Sequence, residues 1–173
     1  IVDNNSQDIN QNFLLERLKQ EYKLEVIYND KNEWVLGFNN ASRIINDEAD
    51  LDHEYIVLSD GDIIMPLPNN GICWLEYLVK KMKSNVTIGK IGLSLDTSLI
   101  ATKKEFTKTY NIEKKYMKGP TVDELIIAPV DTTLAIYRKD LFVMNRFMII
   151  PGHASLVKPY YYIFRTPKVY QAK

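Results

Sequence analysis

Residues 55–66 read Tyr55-Ile56-Val57-Leu58-Ser59-Asp60-Gly61-Asp62-Ile63-Ile64-Met65-Pro66. The apolar run Tyr55 to Ser59, rich in β-branched and aromatic residues, predicts a buried strand. Asp60 and Asp62 follow at its end, two positions apart. On extended backbone both carboxylates point to one side, with backbone positions roughly 6–7 Å apart. That spacing suits one hard cation such as Mg²⁺ or Mn²⁺, which takes one or two carboxylates together with substrate phosphates. Asp and Gly also end strands for conformational reasons alone, because both favour turns. The neighbours of this stretch therefore decide what it means.

Upstream, Ile1-Val2 predicts the end of a strand, broken by Asp3-Asn4-Asn5-Ser6. Asp8 with Gln11 three residues on has the pattern of a capping box. Ile9, Phe13, Leu14, Leu18 and Tyr22 then recur at helical spacing. A second strand is expected over 24–28, and a short helix around 37–46 with Phe38, Ala41, Ile44 and Ile45 on one face. The acidic connection from Asp47 to Glu54 reads as solvated. Downstream, Ile72, Leu75, Leu78, Val79 and Met82 outline an amphipathic helix whose Lys80, Lys81 and Lys83 complement its dipole.

Residues 88–95 predict another strand, ending at Asp96. The polar excursion 97–124 carries a helix over 104–117, stopped by Gly119-Pro120; long excursions in compact domains are commonly functional or mobile. Residues 125–137 are apolar and β-rich, interrupted by Asp131-Thr132-Thr133. The tail adds Phe147 to Ile150, Pro151-Gly152-His153, and the run Tyr160 to Phe164. Strands alternating with helices predict an α/β layered fold with a mostly parallel central sheet. In open sheets of that kind ligands gather at the carboxyl ends of the strands, where Asp3, Asp60, Asp62, Asp96 and Asp131 all fall.

The 173 residues predict one domain with a sizeable core. Hydrophobic content of 46% and charged content of 25% are ordinary for a globular protein. Lys+Arg and Asp+Glu number 22 each, so the whole-chain balance speaks against generic nucleic-acid binding, which needs basic surface. Cys73 is the sole cysteine; no internal disulfide is possible, and the expected compartment is the cytoplasm. Among Ile72, Trp74 and Leu75 it is expected to be a buried, inert thiol. No apolar run approaches the roughly 18 residues of a membrane span, and no signal peptide is read. Ile1-Val2 is strand-like from the outset, so an upstream segment is expected.

Three of these segments, in order and spacing, resemble family 2 glycosyltransferases of the GT-A fold. Ile1-Val2-Asp3-Asn4-Asn5-Ser6 is similar to their acid-bearing strand end. Gly37-Phe38-Asn39-Asn40-Ala41-Ser42-Arg43 resembles their glycine-led third helix, and Leu58 to Pro66 their DxD segment. The resemblance covers residues 1–95 best. Gly92-Leu93-Ser94-Leu95-Asp96 and Pro129 to Arg138 resemble later strands of bacterial members, which bounds an acceptor-side half at 96–173. The family's first strand and helix, which wall the nucleotide pocket, are expected upstream of Ile1.

The resemblance implies an inverting transferase that moves a sugar from a nucleoside-diphosphate donor, uridine-linked by preference, to a saccharide or other acceptor hydroxyl. It implies a divalent cation, Mn²⁺ or Mg²⁺, bound directly by Asp62, with Asp60 sharing it through water or holding the ribose and His153 as the candidate third contact. His153 stands at a spacing from the tyrosine cluster unlike the family's third metal contact. Asp3, Asn4, Arg43 and Asp60 become nucleotide contacts. Asp131, then Asp96, then Asp123 or Glu124 become candidates for the general base that one-step inversion requires. Polysaccharide assembly is the family's common setting. Two other readings stand beside this one: a non-catalytic nucleotide-sugar-binding or interaction domain of the same fold, and a phosphatase of the haloacid dehalogenase type with Asp60 as nucleophile.

Overall fold

The computed structural model describes residues 1–37, 39–41, 53–68, 70–130, 134–139, 147–150, 153–156, 163–165 and 171–172. The chain divides into two units, one drawn from 1–52 and 143–159, the other from 53–142 and 160–173.

In the first unit, β1 (Val2–Asp3) and β2 (Ile27–Tyr28) pair in parallel, Val2 opposite Ile27 and Asp3 opposite Tyr28. Helix α1 (Ile9–Tyr22) makes the crossover between them. Its start is fixed by Asp8, whose Oδ1 accepts from the backbone N–H of Asn10 at 2.8 Å and of Gln11 at 3.0 Å. Its end is fixed by Lys23 in the left-handed region, φ 56°. Helical spacing predicts Ile9, Phe13, Leu14, Leu18 and Tyr22 as the inward set. Leu15 is instead the buried residue, Leu18 is half-buried, and Ile9, Phe13, Leu14 and Tyr22 are exposed. Apolar residues lie on both sides of α1, so periodicity alone does not choose the inward face. The phenol of Tyr28 donates to Glu16 Oε1 at 2.6 Å. That bond first, then loss of solvent and the charges of Glu16 and Asp3, pushes the Tyr28 hydroxyl up to about 12. A 3₁₀ turn (Trp34–Gly37) follows β2, and β9 (Phe147–Ile150) with β10 (His153–Leu156) forms an antiparallel hairpin.

The second unit holds a six-stranded sheet in the order β3-β8-β4-β11-β7-β6. Its strands are β3 (Tyr55–Ser59), β4 (Lys90–Gly92), β6 (Thr121–Val122), β7 (Leu125–Ile127), β8 (Leu134–Arg138) and β11 (Ile163–Arg165). A separate ladder joins β5 (Ser94–Leu95) to β12 (Gln171–Ala172). Helix α2 (Trp74–Ser84) links β3 to β4, and α3 (Thr107–Tyr116) follows a 3₁₀ turn (Lys104–Phe106).

The protein therefore mixes helices and strands, but its main sheet is mostly antiparallel, not mostly parallel. The α2 crossover does set β3 and β4 in the same direction, since both run antiparallel to β8. Strand β8 inserts between them, and the tight β6–β7 hairpin adds a further reversal. The β3 run, expected to be buried, lies at the edge of this sheet, with Ile56 buried and Val57 40% exposed.

Leu78 and Met82 of α2 pack with Ile88, Ile91, Leu93, Leu125, Leu134 and Ile136 to form the core of this unit. Burying each such side chain contributes roughly 1.5–3 kcal/mol. Cys73 is half-buried rather than buried, and caps α2 by accepting from the Glu76 N–H at 3.3 Å. Among the described residues no helix is long and apolar enough to cross a membrane.

Gly92 lies where β4 meets the segment leading into β8. A Cβ there would overlap the side chain of buried Val130. Gly92→Ala is therefore expected to destabilise the protein by about 1–3 kcal/mol through overpacking. Val130→Ala placed in the same chain should recover much of that loss in denaturant unfolding, because it empties the volume the new methyl needs.

Candidate functional site

The register of β8 brings three chain segments to one edge of the main sheet. Ser59, the last residue of β3, stands opposite Leu134, and Gly92, the last of β4, opposite Ala135. Leu93 extends this pattern by donating to the Leu134 carbonyl at 3.0 Å. The carboxyl ends of β3 and β4 and the start of β8 therefore adjoin. Asp60 leaves the sheet there, immediately beyond Ser59, whose hydroxyl donates to the Asp60 carbonyl at 2.8 Å.

Gly61 and Asp62 form a turn, and Asp60, Gly61 and Asp62 are all exposed. Space around Gly61 is open: an added Cβ meets nothing within 4 Å. Ile63 then packs back against the core. The result is an anchored strand end and an anchored return, with two carboxylates on the outward turn between them. Among the described residues no cluster of three or more His, Cys, Asp or Glu is arranged to hold a metal. Two carboxylates are nonetheless the number a Mg²⁺–phosphate site usually takes from a protein.

Asp96 follows β5 and is half-buried. One of its oxygens accepts from the Ser98 N–H at 3.0 Å, which is the geometry of an Asx turn. Asp131 and Arg43 lie outside the described residues, as do the tyrosines at 160–162. His153 begins β10, in the other unit from the Asp60–Asp62 turn.

Asp3 and Asn4 belong to the first unit, and both are engaged in local structure. Asp3 is 6% exposed. Its Oδ2 accepts from the Ser6 N–H at 3.1 Å and its Oδ1 from the Ser6 hydroxyl at 2.5 Å. Asn4 sits in a network of amides. Its Nδ2 donates to Asn32 Oδ1 at 3.1 Å, and its Oδ1 accepts from Asn29 Nδ2 at 3.1 Å and from the Glu33 N–H at 3.2 Å. Asn40 Nδ2 donates to Asn29 Oδ1 at 2.5 Å. Gly37 closes against this network: a Cβ there would collide with the amides of Asn4 and Asn29. That close approach accounts for a glycine at this position.

Two buried polar residues near the sheet edge went unnoticed in the sequence. Lys90, 3% exposed, donates from Nζ to the Val130 carbonyl at 2.9 Å and lies 4.8 Å from the Tyr137 ring centroid. Val130 is the residue before Asp131, so a buried cation steadies the chain leading to it. Ser94 is fully buried in β5. Neither lysine nor serine in an apolar strand distinguishes itself from a solvent-facing residue by pattern alone.

Asp123 and Glu124 form the β6–β7 turn, with φ 47° and 68°. Successive left-handed residues are what a tight hairpin turn requires. Lys81 of α2 pins this turn: its Nζ lies 3.1 Å from Asp123 Oδ1 and 2.9 Å from Glu124 Oε2, and donates to the Asp123 carbonyl at 2.9 Å. Asn85 Nδ2 donates to Asp123 Oδ2 at 2.8 Å. These contacts give Asp123 and Glu124 a structural task in the hairpin turn. No protein-family model, no curated protein and no solved structure matches this chain.

The Asn85 hydrogen bond first, then that of Lys81, holds the Asp123 carboxyl below its usual value near 3.8. A depressed carboxyl stabilises the fold above its unfolded-state pKa, and that contribution disappears as pH falls through the folded-state value. Asp123→Asn should therefore flatten the fall in thermal stability between about pH 4 and pH 2, while wild type shows the steeper loss. Thermal unfolding across that range checks it.

Proposed function

We propose that this chain is a metal-dependent, inverting glycosyltransferase with a GT-A-like arrangement. It takes a nucleoside-diphosphate sugar, uridine-linked by first choice, and passes the sugar to a hydroxyl of a saccharide or other acceptor. The observation that supports this most is the outward Asp60-Gly61-Asp62 turn, set at the sheet edge where β3, β4 and the start of β8 adjoin. Acids projecting from the carboxyl ends of parallel-running strands suit a ligand with several phosphate charges and its counter-ion. The order of the motif segments along the chain adds to that reading.

A divalent cation, when bound, would neutralise charge building on the diphosphate as the sugar–oxygen bond breaks. In this assignment Asp62 holds the cation and Asp60 shares it through water or contacts the ribose. The acceptor hydroxyl gives its proton to Asp131 or Asp96. Asp131 follows the Lys90-anchored Val130, which favours it, because a base must be held within hydrogen-bond reach of the proton it takes.

A non-catalytic interaction domain of the same fold, with or without nucleotide-sugar binding, is the second reading. It draws support from Asp3 and Asn4, whose polar atoms are occupied by Ser6, Asn29, Asn32 and Glu33. On the glycosyltransferase reading Asp3 meets the base edge only by sharing or exchanging those bonds.

Thermal unfolding with UDP, GDP and CDP, each with and without Mn²⁺, distinguishes these outcomes. A ligand at about 100 times its dissociation constant stabilises by roughly 2.7 kcal/mol, which for a chain this long is a rise on the order of 5–10 °C. The expected rise needs UDP and Mn²⁺ together and vanishes in Asp62→Asn. Sugar transfer, or slow hydrolysis of the UDP-sugar, should accompany it and fall in Asp131→Asn. Binding without turnover supports the second reading. A nucleotide response indifferent to metal and to Asp62→Asn overturns the metal-bridged proposal.

A further inference from the structure

The excursion between β5 and β6 concentrates positive charge in a chain whose totals of acidic and basic residues are equal. Six lysines fall within residues 103–118, against two acids, Glu105 and Glu113, and Glu113 is buried, 6% exposed. The rest of the chain is correspondingly acidic. On α3 and its leading 3₁₀ turn, Lys104, Lys108 and Lys115 lie on the side away from Glu113 at helical spacing, and all three are exposed. Lys114 and Lys118 flank them and are exposed as well. None of these five makes an ion pair with a described residue.

Helix stability does not account for the pattern. Lysines in the last turn complement the macrodipole, as Lys114 and Lys115 do. Lys104 and Lys108 stand at the opposite end, where a cation opposes it. One apolar side chain beside this face also stays in solvent: Ile112, next to the lysine row at helical spacing, is 39% exposed. A polyanion in water would satisfy the lysines and leave Ile112 unsatisfied. The boundary between lipid headgroups and acyl chains accepts both, since anionic headgroups attract a polybasic face and the boundary takes up aromatic and aliphatic side chains.

We propose that the lysine face of α3 docks this protein peripherally on an anionic lipid surface. The proposal uses none of the residues assigned to sugar transfer, so it stands whether or not sugar transfer does. Attraction of this kind is electrostatic in the main, falls off within a Debye length and weakens with salt.

The test is flotation of the full chain with vesicles of phosphatidylcholine alone or with about 30% phosphatidylglycerol, a composition that gives the surface a negative potential. Binding is expected on the anionic vesicles, with loss at about 0.5 M NaCl, where screening is severe. The variant K104E/K108E/K115E should bind at least roughly ten-fold more weakly, in line with the loss of three lysines from the surface. A variant of equal net charge, K23E/K31E/K80E, should stay within about two-fold of wild type, because those lysines lie outside the docking face. The substituted lysines are exposed, so thermal unfolding should match wild type and show that folding is retained. Three results overturn the proposal: equal binding to neutral vesicles, equal loss in both triple variants, or salt-sensitive binding to heparin with none to anionic vesicles.

Discussion

Strand β8 takes backbone partners on both sides, from β3 across five residue pairs and from β4 across three. Leu134, Ala135, Ile136 and Tyr137 are all buried, so water cannot replace those partners, and an unpaired buried amide or carbonyl costs free energy comparable to a lost hydrogen bond. Because side chains alternate along a strand, a slip of one residue would exchange Leu134 and Ile136 with Ala135 and Tyr137. Ala in place of Leu against Leu78 and Met82 leaves a cavity, and Tyr in place of Ile overfills the space. Register is therefore fixed by packing. That register sets the last residues of β3 and β4 on either side of the start of β8, and so determines which strand ends adjoin.

Polar residues in this protein divide by where their hydrogen bonds go. Asp3, Asn4, Asn29, Asp123 and Glu124 spend theirs on backbone groups and on one another, fixing a strand end, an amide network and a hairpin turn. Asp60, Asp62 and the α3 lysines face outward. Both groups look alike in a list of charged and polar residues at strand ends. Asp3 has Ser6 three positions away and is buried, while the Asp60–Asp62 turn stands exposed between the end of β3 and the packed Ile63.

Local features were the most legible in the sequence. The Asp8 cap, the helix within 104–117, the extent of the β3 run and the turn after it all depend on residues a few positions apart; the structure places them close to where spacing predicts, with a 3₁₀ turn over 104–106 before the α-helix. The direction shared by β3 and β4 was legible too, because a helix between two strands returns the chain to the same end. What spacing does not carry is adjacency. Nothing in Leu134-Ala135-Ile136-Tyr137 says that it will separate β3 from β4; that choice is made by side-chain volume against α2. The same limit explains α1, where two apolar stripes compete and only tertiary contacts pick Leu15 over Phe13. It also explains Lys90, whose burial depends on a carbonyl supplied by Val130. For the candidate site, the turn carrying Asp60 and Asp62 at the end of β3 was readable. The occupation of Asp3 by Ser6, and the pinning of Asp123 by Lys81 and Asn85, were not.

Insertion of β8 also bears on how the chain acquires its structure. Tyr55 pairs with Arg138 and Ser59 with Leu134, so β3 has no partner in this sheet until a segment far along the chain has been made. Contacts between distant positions demand that loop-closure entropy be met before the pairing gives anything back, which slows folding. During synthesis, which runs from the amino end, the strand bearing Asp60 and Asp62 waits with its hydrogen-bonding edge open while α2, β4 and the whole lysine-rich excursion emerge. The acidic turn is thus translated well before the strand that sets it in place.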